Sequence, residues 1–76
     1  MESILEFSRK YLTENCHVSD YDLDNTKLGT YIDRLDYIAY TNAIGRHFLI
    51  DFDDYWYKWQ DMYLCDVVEE IEDIMY

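Results

Sequence analysis

The chain has 76 residues and a net charge of −11 at pH 7, from 17 acidic and six basic side chains. This length predicts one domain, residues 1–76, with a small core. The charge disfavours nucleic acid and anionic membranes and favours basic protein partners. No apolar run approaches the ~20 residues that cross a bilayer, and no secretion signal opens the chain. We therefore expect a cytoplasmic protein without membrane insertion.

The first element is a helix over residues 4–14. Ser3 and Glu6 have the spacing of a capping box, in which each side chain satisfies a free amide at the start of the helix. Apolar residues then recur at helical spacing. Residues 15–32 are rich in Asn, Ser, Asp and Gly and lack a sustained period. We interpret them as a long loop that places Val18, Leu23, Leu28 and Tyr31 against the core.

The second long helix is predicted over residues 33–48, with Asp33 as its cap and Asp36 at the positive end of the helix dipole. Its spacing favours one buried stripe, with Tyr40 at the edge of that stripe. The predicted stripe residues are Leu35, Ile38, Ile44 and Phe48.

Two helical segments complete the chain. Asp51 or Asp53 is predicted to cap a short turn that carries the rings of Trp56, Tyr57 and Trp59. The last segment repeats apolar residues at i, i+3, i+4 and i+7 from Leu64, and its acidic residues lie on the opposite face. The sequence therefore predicts an all-α protein, a small helical bundle.

An incomplete calcium motif lies within residues 20–31. Asp20, Asp22 and Asp24 match the first three ligands of a helix-loop-helix calcium site. Tyr31 stands where that site needs a bidentate Glu, so two ligand oxygens are missing. The three aspartates are a weak metal candidate, and the sequence predicts no metal cofactor.

The order and spacing of several motifs suggest a family. Residues 33–36 read D-R-L-D, Phe48 follows near the end of that helix, and residues 64–71 read LCDVVEEI. This pattern, from about residue 4 to residue 74, resembles the acyl carrier proteins, whose motifs are D-S-L-D and T-V-x-D-V-V-x-x-I. The resemblance implies a four-helix bundle with a long first loop and a short third helix. It also implies descent from a carrier of 4′-phosphopantetheine on the serine of D-S-L.

Arg34 occupies the position of that serine. It has no hydroxyl and cannot receive the cofactor, so no bound cofactor is expected. The resemblance then implies a carrier-like domain that binds or scaffolds a synthase, a transferase or another carrier-recognising enzyme of fatty acid or polyketide biosynthesis. Tyr and Arg often anchor interfaces. The predicted partner-binding residues are Asp33, Arg34, Leu35, Asp36, Tyr37 and Tyr40.

Two alternatives remain open. The chain could be a working acyl or aminoacyl carrier whose serine has been replaced, or an acidic inhibitor of phage type that mimics nucleic acid. The second alternative fits the charge of −11 but leaves the carrier-like spacing unexplained. An enzyme is not expected, because the sequence offers neither a nucleophile with its base nor a phosphate-binding loop.

Overall fold

The computed structural model of the protein describes residues 2–75, which form six helices and no strand. The helices are α1 (Ile4–Asn15), α2 (Asp20–Asn25), α3 (Leu28–Tyr31), α4 (Arg34–Phe48), α5 (Trp56–Trp59) and α6 (Leu64–Met75). The all-α prediction is therefore confirmed. No helix in this range combines the length and the apolar character that a membrane crossing requires.

Helix α1 begins at Ile4 with Ser3 as its cap, as predicted, but the reciprocal half of the capping box does not form. The Ser3 hydroxyl oxygen accepts a hydrogen bond from the Glu6 amide at 3.1 Å and donates one to Glu6 Oε1 at 3.2 Å. The Glu6 carboxylate thus meets the serine hydroxyl instead of the backbone amide that a full capping box would use. The inner face of the helix buries Ile4, Ser8 and Leu12.

The prediction of a long loop over residues 15–32 is wrong, because this stretch contains the short helices α2 and α3. Ser19 caps α2 by accepting a hydrogen bond from the Asp22 amide at 3.2 Å. Helices of six and four residues are too short to show a helical period, so the sequence pattern missed them. Val18, Leu23 and Leu28 are buried as predicted.

Helix α4 begins with a reciprocal cap at Asp33. Asp36 donates its amide to Asp33 Oδ1 at 2.8 Å, and Asp33 donates its amide to Asp36 Oδ2 at 3.4 Å. Two orphan amides are thereby satisfied, and both carboxylates lie near the positive end of the helix dipole. The predicted cap of this helix is confirmed.

The predicted buried stripe of α4 is wrong in its first half. Leu35 is 76% exposed and Ile38 is 42% exposed, although Ile44 is buried as predicted. Tyr40 lies fully inside the core and not at its edge. The buried positions of this helix are Tyr37, Tyr40, Thr41 and Ile44. They also follow the i, i+3, i+4, i+7 spacing, so helical spacing alone does not distinguish the two stripes.

Helix α5 is the predicted short turn, but its N-cap residue is Tyr55, which makes no side-chain cap hydrogen bond, so the predicted cap is wrong. Asp54, and neither Asp51 nor Asp53, accepts a hydrogen bond from the Trp56 amide at 3.1 Å. The turn buries Trp59 completely and leaves Tyr57 exposed.

Helix α6 confirms the predicted amphipathic pattern. Its inner face buries Leu64, Val67, Val68 and Ile71. Glu70, one of the acidic residues of this helix, makes two contacts within the fold. Its Oε2 accepts a hydrogen bond from Trp59 Nε1 at 2.7 Å, and its Oε1 pairs with Lys58. This carboxylate joins α5 to α6.

Two tyrosines make stability sensitive to alkaline pH. Burial raises the pKa of Tyr31 to about 12 and raises the pKa of Tyr40 as well. The folded state therefore keeps these protons at a pH where the unfolded state, with a phenol pKa of about 10, releases them. We expect the free energy of unfolding to be unaffected by these groups below pH ~10 and to fall as the pH rises from about 10 to about 12. Urea unfolding across this range tests the expectation, and a constant midpoint would contradict it.

Candidate functional site

Arg34 is the first residue of α4, and its guanidinium spans the gap to the segment before α5. Its Nη2 donates a hydrogen bond to Asp54 Oδ2 at 2.6 Å, and its Cζ lies 5.7 Å from the centroid of the Tyr57 ring. Both distances suit an ion pair reinforced by a cation–π contact. The Arg34 guanidinium is thus held in place by two residues from beyond α4.

The path of the chain explains this arrangement. The Tyr37 hydroxyl accepts a hydrogen bond from the Tyr55 amide at 2.9 Å, which fixes the segment before α5 against α4. Asp54 in turn accepts a hydrogen bond from the amide of Trp56. The carboxylate is therefore oriented toward Arg34 by the backbone of the next helix.

The pair lowers the pKa of the Asp54 carboxyl below its usual range. The hydrogen bond from Arg34 is the main cause, and the hydrogen bond from the Trp56 amide adds to it. Both donors favour the ionised form. The contribution of this group to stability is complete above the carboxyl pKa of the unfolded chain and is lost as the pH falls through the lowered value.

Replacing Arg34 with alanine is expected to raise the pKa of Asp54 toward its ordinary value, because the strongest donor is removed. Titration of the side-chain carboxyl signal by nuclear magnetic resonance measures this directly. Arg46→Ala is the matched control, since Arg46 donates to the Asn42 carbonyl and not to Asp54. An Asp54 pKa that is unchanged in Arg34→Ala would show that the ion pair does not form in solution.

The predicted partner-binding residues divide into two groups. Asp33, Arg34 and Leu35 are exposed, and Asp36 is half-buried. Tyr37 and Tyr40 retain only 3% and 0% of their surface. These two tyrosines belong to the core, and the prediction that they form part of a contact surface is wrong. The Tyr37 ring packs against the rings of Trp56 and Trp59 in α5. Helical spacing within α4 does not predict a contact with so distant a segment.

Three residues of the site were not predicted from the sequence. Ile38 was assigned to the core but lies exposed on the helix that begins with Arg34, while Asp54 and Tyr57 hold the guanidinium. The only sequence feature that pointed to this site was the acidic run at residues 51–54. It could not show which carboxylate would reach Arg34, twenty positions earlier.

An open groove of about 710 Å³ runs along α4. One wall is the α4 face that carries Arg34, Ile38, Asn42 and Arg46. The opposite wall is the non-helical segment 50–54. The ion pair of Arg34 with Asp54 joins the two walls near the start of α4. This groove has a volume in the range typical of ligand sites, but its lining is more polar than most.

The aspartates of the calcium motif lie on α2, and two of them already have a cation partner. Arg9 contacts Asp24 at 2.6 Å and Asp20 at 3.1 Å, while the Thr26 hydroxyl lies 3.5 Å from Asp22. Among residues 2–75 no group of three or more His, Cys, Asp or Glu side chains is placed to hold a metal ion. In this geometry Asp20 and Asp24 link α2 to α1 through their ion pairs with Arg9.

No protein-family model, no curated protein and no solved structure matches the chain.

Proposed function

We propose that this protein is an acyl-carrier-like domain that has lost its phosphopantetheine arm and serves as a cytoplasmic protein-binding or scaffolding module of a biosynthetic system. The sequence of elements supports the proposal. Helices α1, α4, α5 and α6 have the long, long, short, long order of a carrier-type four-helix bundle. Under this proposal α2 and α3 occupy the long first connection of that bundle.

The observation that carries the proposal is the identity of residue 34 and the contacts that it makes. In the carrier resemblance, the attachment position at the head of α4 holds a guanidinium that is hydrogen-bonded to Asp54 and lies over the Tyr57 ring. An arginine offers no hydroxyl to a phosphopantetheinyl transferase. The two contacts also tie residue 34 to the segment before α5 and to α5 itself.

The packing of the interior also supports the loss of the arm. Trp59 is fully buried, and its ring lies 5.9 Å from Tyr37 and 4.9 Å from Tyr55, centroid to centroid. Under this proposal, these rings fill the space that an acyl chain would occupy in a working carrier. A module that holds no acyl group can fill this space without loss of function.

The binding role is supported by the exposed face at the head of α4. Leu35 and Ile38 are three residues apart and share one helix face, close in sequence to the exposed Arg34. Residues 33–49 carry two acids and two bases, so this helix is neutral in a chain with a net charge of −11. Adjacent apolar side chains on a helix of zero net charge favour contact with a partner protein.

Mass spectrometry after incubation with coenzyme A and a broad-specificity phosphopantetheinyl transferase tests the loss of the arm. We expect the wild-type chain to stay unmodified and Arg34→Ser to gain one phosphopantetheinyl group. Modification of the wild type would contradict the proposal. Modification of neither chain would remove the support for a carrier-like fold.

Affinity capture from an extract of the source cells tests the binding face. We expect Leu35→Asp to lose a partner that the wild type retains, because a carboxylate replaces an apolar contact. Leu49→Asp is the matched control, since Leu49 is also strongly exposed, at 91%, but follows the end of α4. Equal capture by Leu35→Asp and Leu49→Asp would exclude this face.

One specific observation favours the alternative of an acidic inhibitor. Four exposed acids of α6 have no basic partner within residues 2–75, namely Asp66, Glu69, Glu72 and Asp73. Capture of a nucleic-acid enzyme that persists in Leu35→Asp but is lost on neutralising these acids would favour that alternative.

A further inference from the structure

The groove along α4 contains groups that the fold itself leaves unused. Asp51 and Asp53 are exposed on one wall, and neither has a basic partner within residues 2–75. Ile50 and Phe52 alternate with them and are half-buried. Carboxylates and apolar side chains therefore alternate along this wall.

The backbone of the same segment is also available. The hydrogen bonds formed within residues 2–75 do not engage the amides of residues 51–54 as donors. The next amide, of Tyr55, is bonded to the Tyr37 hydroxyl. Four consecutive amides are thus left to water or to the carbonyl oxygens of another chain.

The length of the groove suits a short peptide segment. Arg34 and Arg46, on the α4 wall, are twelve residues apart, which is about 18 Å at ~1.5 Å per helical residue. An extended chain advances about 3.3 Å per residue, so about five or six residues cover this distance. Successive side chains of such a chain point in opposite directions.

We infer that the groove between α4 and residues 50–54 binds an extended segment of a partner protein in which basic and apolar residues alternate. The apolar side chains pack on Ile38 and Phe52, and the basic side chains pair with Asp51 and Asp53. The inference rests on the proposed function and names the chemistry of its partner. The excess of acids over bases in the whole chain draws a cationic segment toward the groove.

The composition of the groove favours this occupant over an acyl chain or an anion. An acyl chain would leave the Asp51 and Asp53 carboxylates and the Arg46 guanidinium without ionic partners. An anion would meet three aspartates, of which only Asp54 is neutralised by an arginine. A basic segment satisfies the free carboxylates and the free amides together.

The probe is a fluorescein-labelled peptide with blocked ends and the sequence Lys-Leu-Lys-Leu-Lys, whose binding is followed by fluorescence anisotropy at low and at physiological salt. Lys-Ser-Lys-Ser-Lys has the same charge without the apolar side chains, and Glu-Leu-Glu-Leu-Glu reverses the charge. We expect the Lys-Leu peptide to bind at least about fivefold tighter than the Lys-Ser peptide and the Glu-Leu peptide not to bind.

Two pairs of protein variants locate the site. Asp51→Asn with Asp53→Asn is expected to weaken binding by about five- to tenfold, because two exposed ion pairs are lost. Asp66→Asn with Glu69→Gln removes the same charge from α6 and is expected to change binding less than about twofold. Asn42→Trp places a ring in the groove and is expected to weaken binding at least about fivefold, whereas Ala39→Trp, on the exposed part of α4 outside the groove, is not.

Amide chemical shifts give a readout that needs no variant. The Lys-Leu peptide is expected to shift the amide signals of residues 51–54. Four results would each overturn the inference. The two charge-removing variants could weaken binding equally, or the Lys-Ser peptide could bind as tightly as the Lys-Leu peptide. The amide shifts could be confined to α6, or no binding could be seen at millimolar peptide. None of these results depends on phosphopantetheine transfer or on Leu35, so the proposed function is judged separately.

Discussion

Replacement of Trp59 by alanine is expected to lower the free energy of unfolding by about 3–5 kcal/mol, the range typical of a fully buried aromatic side chain. The Trp59 ring is fully buried and stacks on Tyr55 at a centroid distance of 4.9 Å. It also meets Phe52 edge-on at 6.1 Å. Loss of the ring leaves a cavity between α5 and α6 and removes the donor that pairs with Glu70.

Urea unfolding followed by circular dichroism measures the effect of this change. Small domains have a total stability of about 5–15 kcal/mol, so Trp59→Ala is expected to remove a large fraction of the free energy of unfolding and to lower the urea midpoint strongly. Trp56→Ala is the matched control, because Trp56 is only half-buried and is expected to cost less. Equal destabilisation by the two alanine variants would contradict the assignment of Trp59 as the central ring.

Trp59→Phe keeps the comparison informative if Trp59→Ala does not fold. It retains a ring but leaves the half-buried Glu70 without the indole donor at 2.7 Å. A loss of about 1–3 kcal/mol is expected from this unpaired acceptor and the smaller ring. Glu70→Gln in the same background should then cost only about 0–1 kcal/mol, from the partly exposed ion pair with Lys58, because the hydrogen bond to the indole is already absent.

Removal of the Ser8 hydroxyl is expected to destabilise the protein more than removal of the Tyr40 hydroxyl. The two oxygens lie 2.6 Å apart, and both side chains are fully buried. In Ser8→Ala the Tyr40 hydroxyl is left unpaired in the core, which costs about 1–3 kcal/mol. In Tyr40→Phe the Ser8 hydroxyl can turn to a carbonyl of its own helix, so the cost is smaller.

The double variant Ser8→Ala with Tyr40→Phe is expected to recover most of the stability lost in Ser8→Ala, since both polar atoms are then gone. A double-mutant cycle in urea measures the coupling, for which we expect about 1 kcal/mol or more. Tyr11→Phe is the control, because no hydrogen bond within residues 2–75 uses the Tyr11 hydroxyl. Additive effects of the two changes would show that the buried hydrogen bond does not stabilise the fold.

Local signals in the sequence were enough to predict the bounds of the long helices. The caps at Ser3 and Asp33 and the apolar period from Leu64 act within one or two turns of the same segment. The all-α class followed from these signals, and α5 was recognised from its position and rings. The short helices α2 and α3 were missed, since helices of six and four residues form less than two turns.

The tertiary structure was needed to choose the buried face of α4 and to assemble the site. Two stripes of that helix have helical spacing, one through Leu35 and Ile38 and the other through Tyr37 and Tyr40. Packing against Trp59 and Ser8, which are distant in sequence, selected the second stripe and exposed the first. The Arg34–Asp54 pair likewise joins residues twenty positions apart. Neither contact could be read from local spacing, because each depends on how distant segments of the chain cross α4.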